Sequence, residues 1–248
     1  MQLNSSFKTT ITAIVGLLVL SSCQKSYDKK LAADFYNGTG STVQAFIGTV
    51  GASRNYVFVD GKPVNGAALT TGSVFPTTGY GFKVASGLRN LTVLDTLSTT
   101  TQLRLSFAQN FQIGGNYTVF TYDTITNPLQ KTVRTNLVVP IDTSCRVRFA
   151  NFAYNGLAVT PAIDIFSVGK NEVVASNLQY TDVTEFVLHP TRIGTEAFQV
   201  RLAGTSTVLA TSAVSTLIPQ RIYTVVYRGS HRATSGTSAR AVSLFLNY

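Results

Sequence analysis

Apolar side chains recur at every second position through most of the chain beyond residue 41. Val147 and Phe149, Phe198, Val200 and Leu202, Leu103, Leu105 and Phe107, and Val242, Leu244 and Leu246 each fall on one face, mostly with small or polar residues between them. A period of two is that of a β-strand with one buried face. No stretch of about twelve residues carries the 3.6-residue period of an amphipathic helix. Asp60-Gly61, Gly114-Gly115, Asn127-Pro128, Gly169-Lys170 and Ala203-Gly204 punctuate the pattern as strand breaks. The expected fold class is all-β.

The chain also repeats itself at a spacing of about 100 residues, a period that marks duplicated units. Tyr56-Val57-Phe58-Val59-Asp60-Gly61-Lys62 matches Asp164-Ile165-Phe166-Ser167-Val168-Gly169-Lys170, and Gly115-Asn116-Tyr117-Thr118-Val119-Phe120 matches Arg221-Ile222-Tyr223-Thr224-Val225-Val226. About seven short strands in roughly 100 residues is the scale of an immunoglobulin-like sandwich. The expectation is two tandem immunoglobulin-like β-sandwich domains, 41–138 and 145–248, joined by a linker at 139–144 where Pro140 interrupts the pattern. Tyr117 and Tyr223 each follow a turn and begin a strand, where a sandwich tyrosine packs inward and bonds the backbone as a corner. The strand Val147-Arg148-Phe149-Ala150-Asn151, the Asp164-Ile165-Phe166 strand, Asn177-Leu178 and Tyr223-Thr224-Val225-Val226 together resemble a family of domains of unknown function. That family occurs in tandem in Bacteroidota lipoproteins, and the resemblance implies β-sandwiches and no catalytic residue. The first repeat is a more divergent copy, in which Val43-Gln44-Ala45-Phe46 lacks the strand's arginine.

The amino terminus sets an address. Lys8 supplies positive charge, Ile11 to Leu20 an apolar stretch, and Leu20-Ser21-Ser22-Cys23 a cleavage tetrad. An apolar run of about ten residues is too short to cross a bilayer as a helix. The tetrad resembles the bacterial lipoprotein signal, which implies that residues 1–22 are removed and that the Cys23 sulfur carries diacylglycerol. Several acyl chains on one residue exceed the two-signal threshold for stable anchoring. Residues 23–40 then read as a lipidated tether on the outer membrane. The periplasmic and surface faces both stay open, since only Asp28 stands among three lysines after the cysteine.

Composition sets further limits. With 44% hydrophobic and 12% charged residues the chain is far from a disordered composition. The net charge of +9 would suit nucleic acid in a cytosolic protein, but export removes that partner. Arg146, Arg148 and Arg201 alternate with apolar neighbours and read as solvated strand faces. With Cys23 lipidated, Cys145 has no intramolecular partner and reads as a packing residue. His189 and His231 are the chain's two histidines and read as solvated loop residues, in no His-x-x-x-His pair and with no Cys-x-x-Cys to join. Neither a Gly-x-Ser-x-Gly elbow nor a phosphate-binding Gly-x-x-x-x-Gly-Lys loop is present. Asp182 and Glu185 read as turn and strand-edge residues, and Asp164 sits on a repeat strand. No catalytic, cofactor or metal residue is assigned. Loops that differ between the repeats, Thr77-Thr78-Gly79-Tyr80 and Ser230 to Ser238, are the candidate ligand contacts, and with no tryptophan in the chain any aromatic platform must be tyrosine. Asp95-Thr96-Leu97 and Asp123-Thr124-Ile125 resemble a three-residue O-glycosylation pattern that would place glycan on Thr96 and Thr124. The expected function is a non-enzymatic binding, adhesion or scaffolding lipoprotein, with the membrane as partner through Cys23 and an outer-membrane protein or a polysaccharide as the other. Its rival is a substrate-capture accessory, binding glycan for an outer-membrane uptake system.

Overall fold

One strand arrangement occurs twice in the computed structural model, which describes residues 40–248 apart from Tyr80, Leu157 and Ile193. The signal segment, Cys23 and the tether up to Thr39 lie outside the described residues. No helix occurs among those described. The first copy holds β1 (Gly40–Ile47), β2 (Asn55–Val59), β3 (Lys62–Pro63), β4 (Val74–Phe75), β5 (Phe82–Ala85), β6 (Gly87–Asp95), β7 (Leu105–Phe111), β8 (Asn116–Thr124) and β9 (Asn127–Arg134). The second holds β10 (Cys145–Asn151), β11 (Ile163–Ser167), β12 (Glu172–Leu178), β13 (Val187–His189), β14 (Thr195–Glu196), β15 (Phe198–Leu202), β16 (Val208–Thr211), β17 (Ser215–Thr216), β18 (Ile222–Arg228) and β19 (Ala241–Leu246).

In the first copy one sheet runs β4-β1-β8-β9, with β5 also on β1, and the other β3-β2-β6-β7. The second copy repeats this as β13-β10-β18-β19 and β12-β11-β15-β16, with a small β14-β17 pair beside them. The parallel pairings also correspond: β1 lies along β8 from Thr42↔Asn116 to Ile47↔Thr121, and β10 along β18 from Arg146↔Ile222 to Asn151↔Tyr227. Pro128 is tolerated because β9 is an edge strand, where a missing N–H leaves no ladder bond unmade.

The two sheets of each repeat share a core. Cys145, Val147 and Phe149 of β10 and Tyr223 and Val225 of β18 pack against Ile163, Ile165, Phe198 and Val200 of the facing sheet. Val43 of β1 and Tyr117 and Val119 of β8 pack likewise against Leu91 and Phe111. Both tyrosines form the expected corner: Gln112 N–H donates to Tyr117 Oη and Ile218 N–H to Tyr223 Oη, each at 3.0 Å. Gly115 is required beside the first, since a Cβ there would sit 2.7 Å from the Tyr117 ring. Replacing Tyr223 by Phe removes a part-buried hydrogen bond, whose net contribution is about 0.5 to 1.5 kcal/mol. Urea unfolding of Tyr223→Phe, with Tyr117→Phe as its repeat-one counterpart, is expected to show an earlier midpoint at unchanged slope.

The alternate residues of the central strands meet a third core. Gly40–Tyr248 is one compact unit, because Phe46, Val74 and Phe120 of the first repeat pack against Ala150, Phe152, Val226 and Phe245 of the second. Phe46 stacks on Phe245 at 5.5 Å and Phe120 on Phe152 at 4.8 Å. The sheets led by β1 and by β10 are therefore covered on both faces. Residues 139–144 carry no strand, and Pro140 is buried.

This shared face corrects the reading of Arg148 as a solvated strand residue. Arg148 is 1% exposed. Its Nε donates to Thr224 Oγ1 at 2.9 Å and its Nη2 to Thr118 Oγ1 at 2.7 Å. The network continues through Thr118 to Thr135, and from Thr224 to Asn247, Gln44 and the Leu246 carbonyl. Arg201 instead lays its guanidinium over the Phe166 ring, 3.4 Å from the centroid.

Candidate functional site

Burial takes Ser167, His189, Glu196 and Cys145 out of solvent. His189 is not a loop residue in solvent: it ends β13, is 1% exposed and packs beside Phe198. Its Nε2 donates at 2.7 Å to Glu196 Oε2, which also accepts from Ser167 Oγ at 2.5 Å. Glu196 Oε1 accepts from the Gly169 and Ala197 N–H groups. The carboxylate stands between hydroxyl and imidazole, so the imidazole does not reach Ser167, and all three groups are buried. Burial holds the His189 ring below its usual 6.5 against the pull of Glu196. Cys145 lies in the second repeat's core, where burial pushes its thiol up to about 12, far from a thiolate at neutral pH. His231 is half-buried and bonds Tyr227 Oη through Nδ1. Asp182 caps a turn by accepting the Gln179 N–H, and Glu185 is exposed. Asp164 is buried and accepts the Asn177 and Gly204 N–H groups. Among the described residues no cluster of three His, Cys, Asp or Glu side chains could hold a metal. Thr96 is exposed and Thr124 half-buried.

The arrangement with ligand-type chemistry is a cleft of about 330 Å³ where the end of β8 meets the second repeat. It is lined by Asp123, Tyr154, Asn155, Thr160, Gln179 and Tyr180, among others. Asp123 takes a left-handed backbone at φ 68°, which a short polar side chain tolerates. Its carboxylate accepts the Thr124 N–H at 2.7 Å and the Asn127 amide at 3.4 Å, which leaves acceptor capacity on a group with about four lone-pair sites. Tyr154 is clamped at both backbone ends, donating to the Gly229 carbonyl and accepting from the His231 N–H. Asn155 is a brace: its Nδ2 holds the Val159 carbonyl and its Oδ1 accepts from Arg232 Nε. Gln179 places its Nε2 on Asn177, so Oε1 is the acceptor it offers. Tyr180 meets Tyr122 edge-on at 5.8 Å, and its buried hydroxyl has no hydrogen-bond partner among the described residues. Burial, with Asp123 next in effect, pushes that phenol well above its ordinary value of 10.

The duplication supplies an internal comparison. Val50 N–H donates to the Asp123 carbonyl as Tyr154 N–H does to that of Gly229, so Val50 corresponds to Tyr154 and Gly229 to Asp123. Gly72 N–H bonds the Ile47 carbonyl as Thr181 N–H bonds that of Asn151, which sets Thr70 and Thr71 opposite Gln179 and Tyr180. The related cleft, about 460 Å³, is lined by Gly51, Ser53, Thr70, Thr71, Arg228 and Thr237 among others and contains no aromatic ring. Arg228 lies against Gly72, where a Cβ would fall 2.4 Å from the guanidinium carbon.

Of the loops singled out in the sequence, Ser230 to Ser238 reaches both clefts, with Arg232 braced on Asn155 and Gly236 and Thr237 lining the other. Thr77, Thr78 and Gly79 line neither, and Gly79 lies against Leu246 and Tyr248. The cleft residues themselves were missed by motif reading, although a position-by-position comparison of the repeats exposes Tyr154 against Val50 and Tyr180 against Thr71.

No family model matches the chain, and no curated protein matches it. Two solved structures of streptococcal virulence factors are similar to it at a low level. One, described for alpha-glucan binding, is 12% identical over 73% of this chain and 92% of its own, with a TM-score of 0.23. The other, of family 41 carbohydrate-binding modules in alpha-glucan recognition, is 9% identical over 82% of this chain and 96% of its own, also with a TM-score of 0.23. At such scores neither the fold nor the ligand carries over.

Proposed function

We propose that this chain is a non-enzymatic, lipid-anchored module of the bacterial outer membrane, of the tandem lipoprotein family its strand motifs resemble, whose two immunoglobulin-like repeats work by binding. The observation that carries the reading is the difference between equivalent positions. One cleft has Asp123, Tyr154, Gln179 and Tyr180 where the fold also accommodates Gly229, Val50, Thr70 and Thr71. The scaffold does not demand those side chains, so their clustering points to a ligand. Burial of Ser167, His189, Glu196 and Cys145 supports binding over hydrolysis.

The test is co-purification of the native protein from gently solubilised outer membranes, beside a Cys23→Ser variant. The expected result is incorporation of labelled fatty acid into the wild type alone, release of the variant from the membrane, and a partner recovered at near-stoichiometric yield. A nutrient transporter as that partner would make the protein the capture accessory of an uptake system. Membrane retention of Cys23→Ser overturns the anchor, and turnover of any recovered ligand overturns the non-enzymatic role.

A further inference from the structure

We infer that the cleft between the repeats binds a neutral saccharide, with Tyr154 and Tyr180 as ring platforms and Asp123 and Gln179 as hydroxyl acceptors. This rests on the binding role proposed above and names its ligand class.

The volume is the first constraint. About 330 Å³ lies at the small end of ligand pockets, which run from about 300 to 1,000 Å³. That suits one or two sugar rings and is too small for a folded partner. Chemistry is the second. A sugar presents C–H faces that pack on aromatic rings and a rim of hydroxyls that need acceptors. The lining offers two tyrosines, a carboxylate with unused lone pairs and the Gln179 carbonyl. Charge is the third. The one carboxylate in the lining disfavours an anion. Against a cation, Arg232 stands on Asn155 beside the cleft, and Lys131 donates its ammonium to the Thr181 carbonyl, next to Tyr180. A neutral polyhydroxyl ligand is the class that meets no repulsion.

The experiment uses the detergent-solubilised full chain and an array of neutral oligosaccharides of glucose, mannose, galactose and xylose, with chitosan and uronic-acid oligomers as charged probes. At least one neutral probe is expected to bind. Asp123→Asn keeps the left-handed backbone and removes the charge, and is expected to weaken binding at least ~10-fold, the usual consequence of losing a hydrogen bond to a charged group. Tyr180→Ala is expected to abolish binding. Tyr180→Phe keeps the ring platform and removes only a sealed, unpartnered hydroxyl, so it is expected to keep the affinity while raising the melting temperature. Thr71→Ala in the related cleft is expected to leave affinity unchanged. Absence of neutral binding, or neutral binding indifferent to Asp123→Asn and Tyr180→Ala, overturns the inference. Chitosan or uronate binding that depends on the same residues overturns the ligand class and leaves the binding role standing. That role fails separately, through the co-purification.

Discussion

Glu196→Ala is expected to destabilise the protein by roughly 3 to 5 kcal/mol, because each buried donor left unmet costs about 1 to 3 kcal/mol. Four donors converge on this carboxylate: Ser167 Oγ, His189 Nε2 and the N–H groups of Gly169 and Ala197. Truncation strands the three buried donors, on Ser167, His189 and Ala197, and unties the exposed Gly169 N–H, and the first repeat shows how isolated the feature is. The register that pairs Cys145 with His189 pairs Ser41 with Val84, an apolar core residue. The acid and imidazole were thus built into a place that the fold fills with hydrocarbon elsewhere, and removing half of the pair leaves the other half buried alone. Glu196→Gln keeps the shape and one acceptor, so its cost is expected to be smaller. Urea titration of both variants checks this, and an alanine variant within 1 kcal/mol of wild type would mean the cluster contributes little. The same cluster sets a pH dependence. Burial lowers the His189 pKa, as burial together with Arg240 and Arg232 lowers that of His231. The unfolded chain therefore takes up protons near pH 6.5 before the folded one does. The stability these rings contribute is complete above 6.5 and is lost as pH falls, so the melting temperature is expected to be lower at pH 5 than at pH 7.5.

Period-two alternation identifies a strand and one buried face but is silent on what covers the other. Arg148 shows the consequence. Between Val147 and Phe149 it has the pattern of a water-facing residue, yet the opposite face of β10 meets the second sheet stack. The available signal was the near-continuous apolar run of β18, Ile222 to Tyr227, the mark of a strand covered on both sides. The tyrosine corners were legible because the device is local: a turn, a tyrosine and a backbone N–H five residues back. His189 and Glu196 were not, because the pair straddles Pro190 and matches no spacing rule. The cleft was least visible of all. Asp123 belongs to one repeat and Tyr154 and Tyr180 to the other, so only the packing of the repeats brings them together.

Arg148→Ala is expected to cost roughly 2 to 5 kcal/mol, the range for a large-to-small change in a core, whereas Arg148→Met is expected to stay within ~1 kcal/mol of wild type or to exceed it in stability. No carboxylate lies within ion-pair distance of Arg148 among the described residues; its company is two threonine hydroxyls and the rings of Phe186 at 4.7 Å and Phe120 at 5.6 Å. Burial lowers its pKa to about 9, against the opposing effect of Glu185. The guanidinium is still charged at pH 7 and bears the full cost of leaving water, offset by two hydrogen bonds and ring contacts. Methionine fills similar length without that cost. The hydroxyls it deserts keep partners, Thr118 on Thr135 and Thr224 on Asn247. Alanine instead opens a void in the face that joins the repeats. A methionine variant as unstable as the alanine one would show that the charge and its hydrogen bonds, rather than the volume, hold the repeats together. In that case Gln44 and Asn247, which close the network from the other side, become the next residues to truncate.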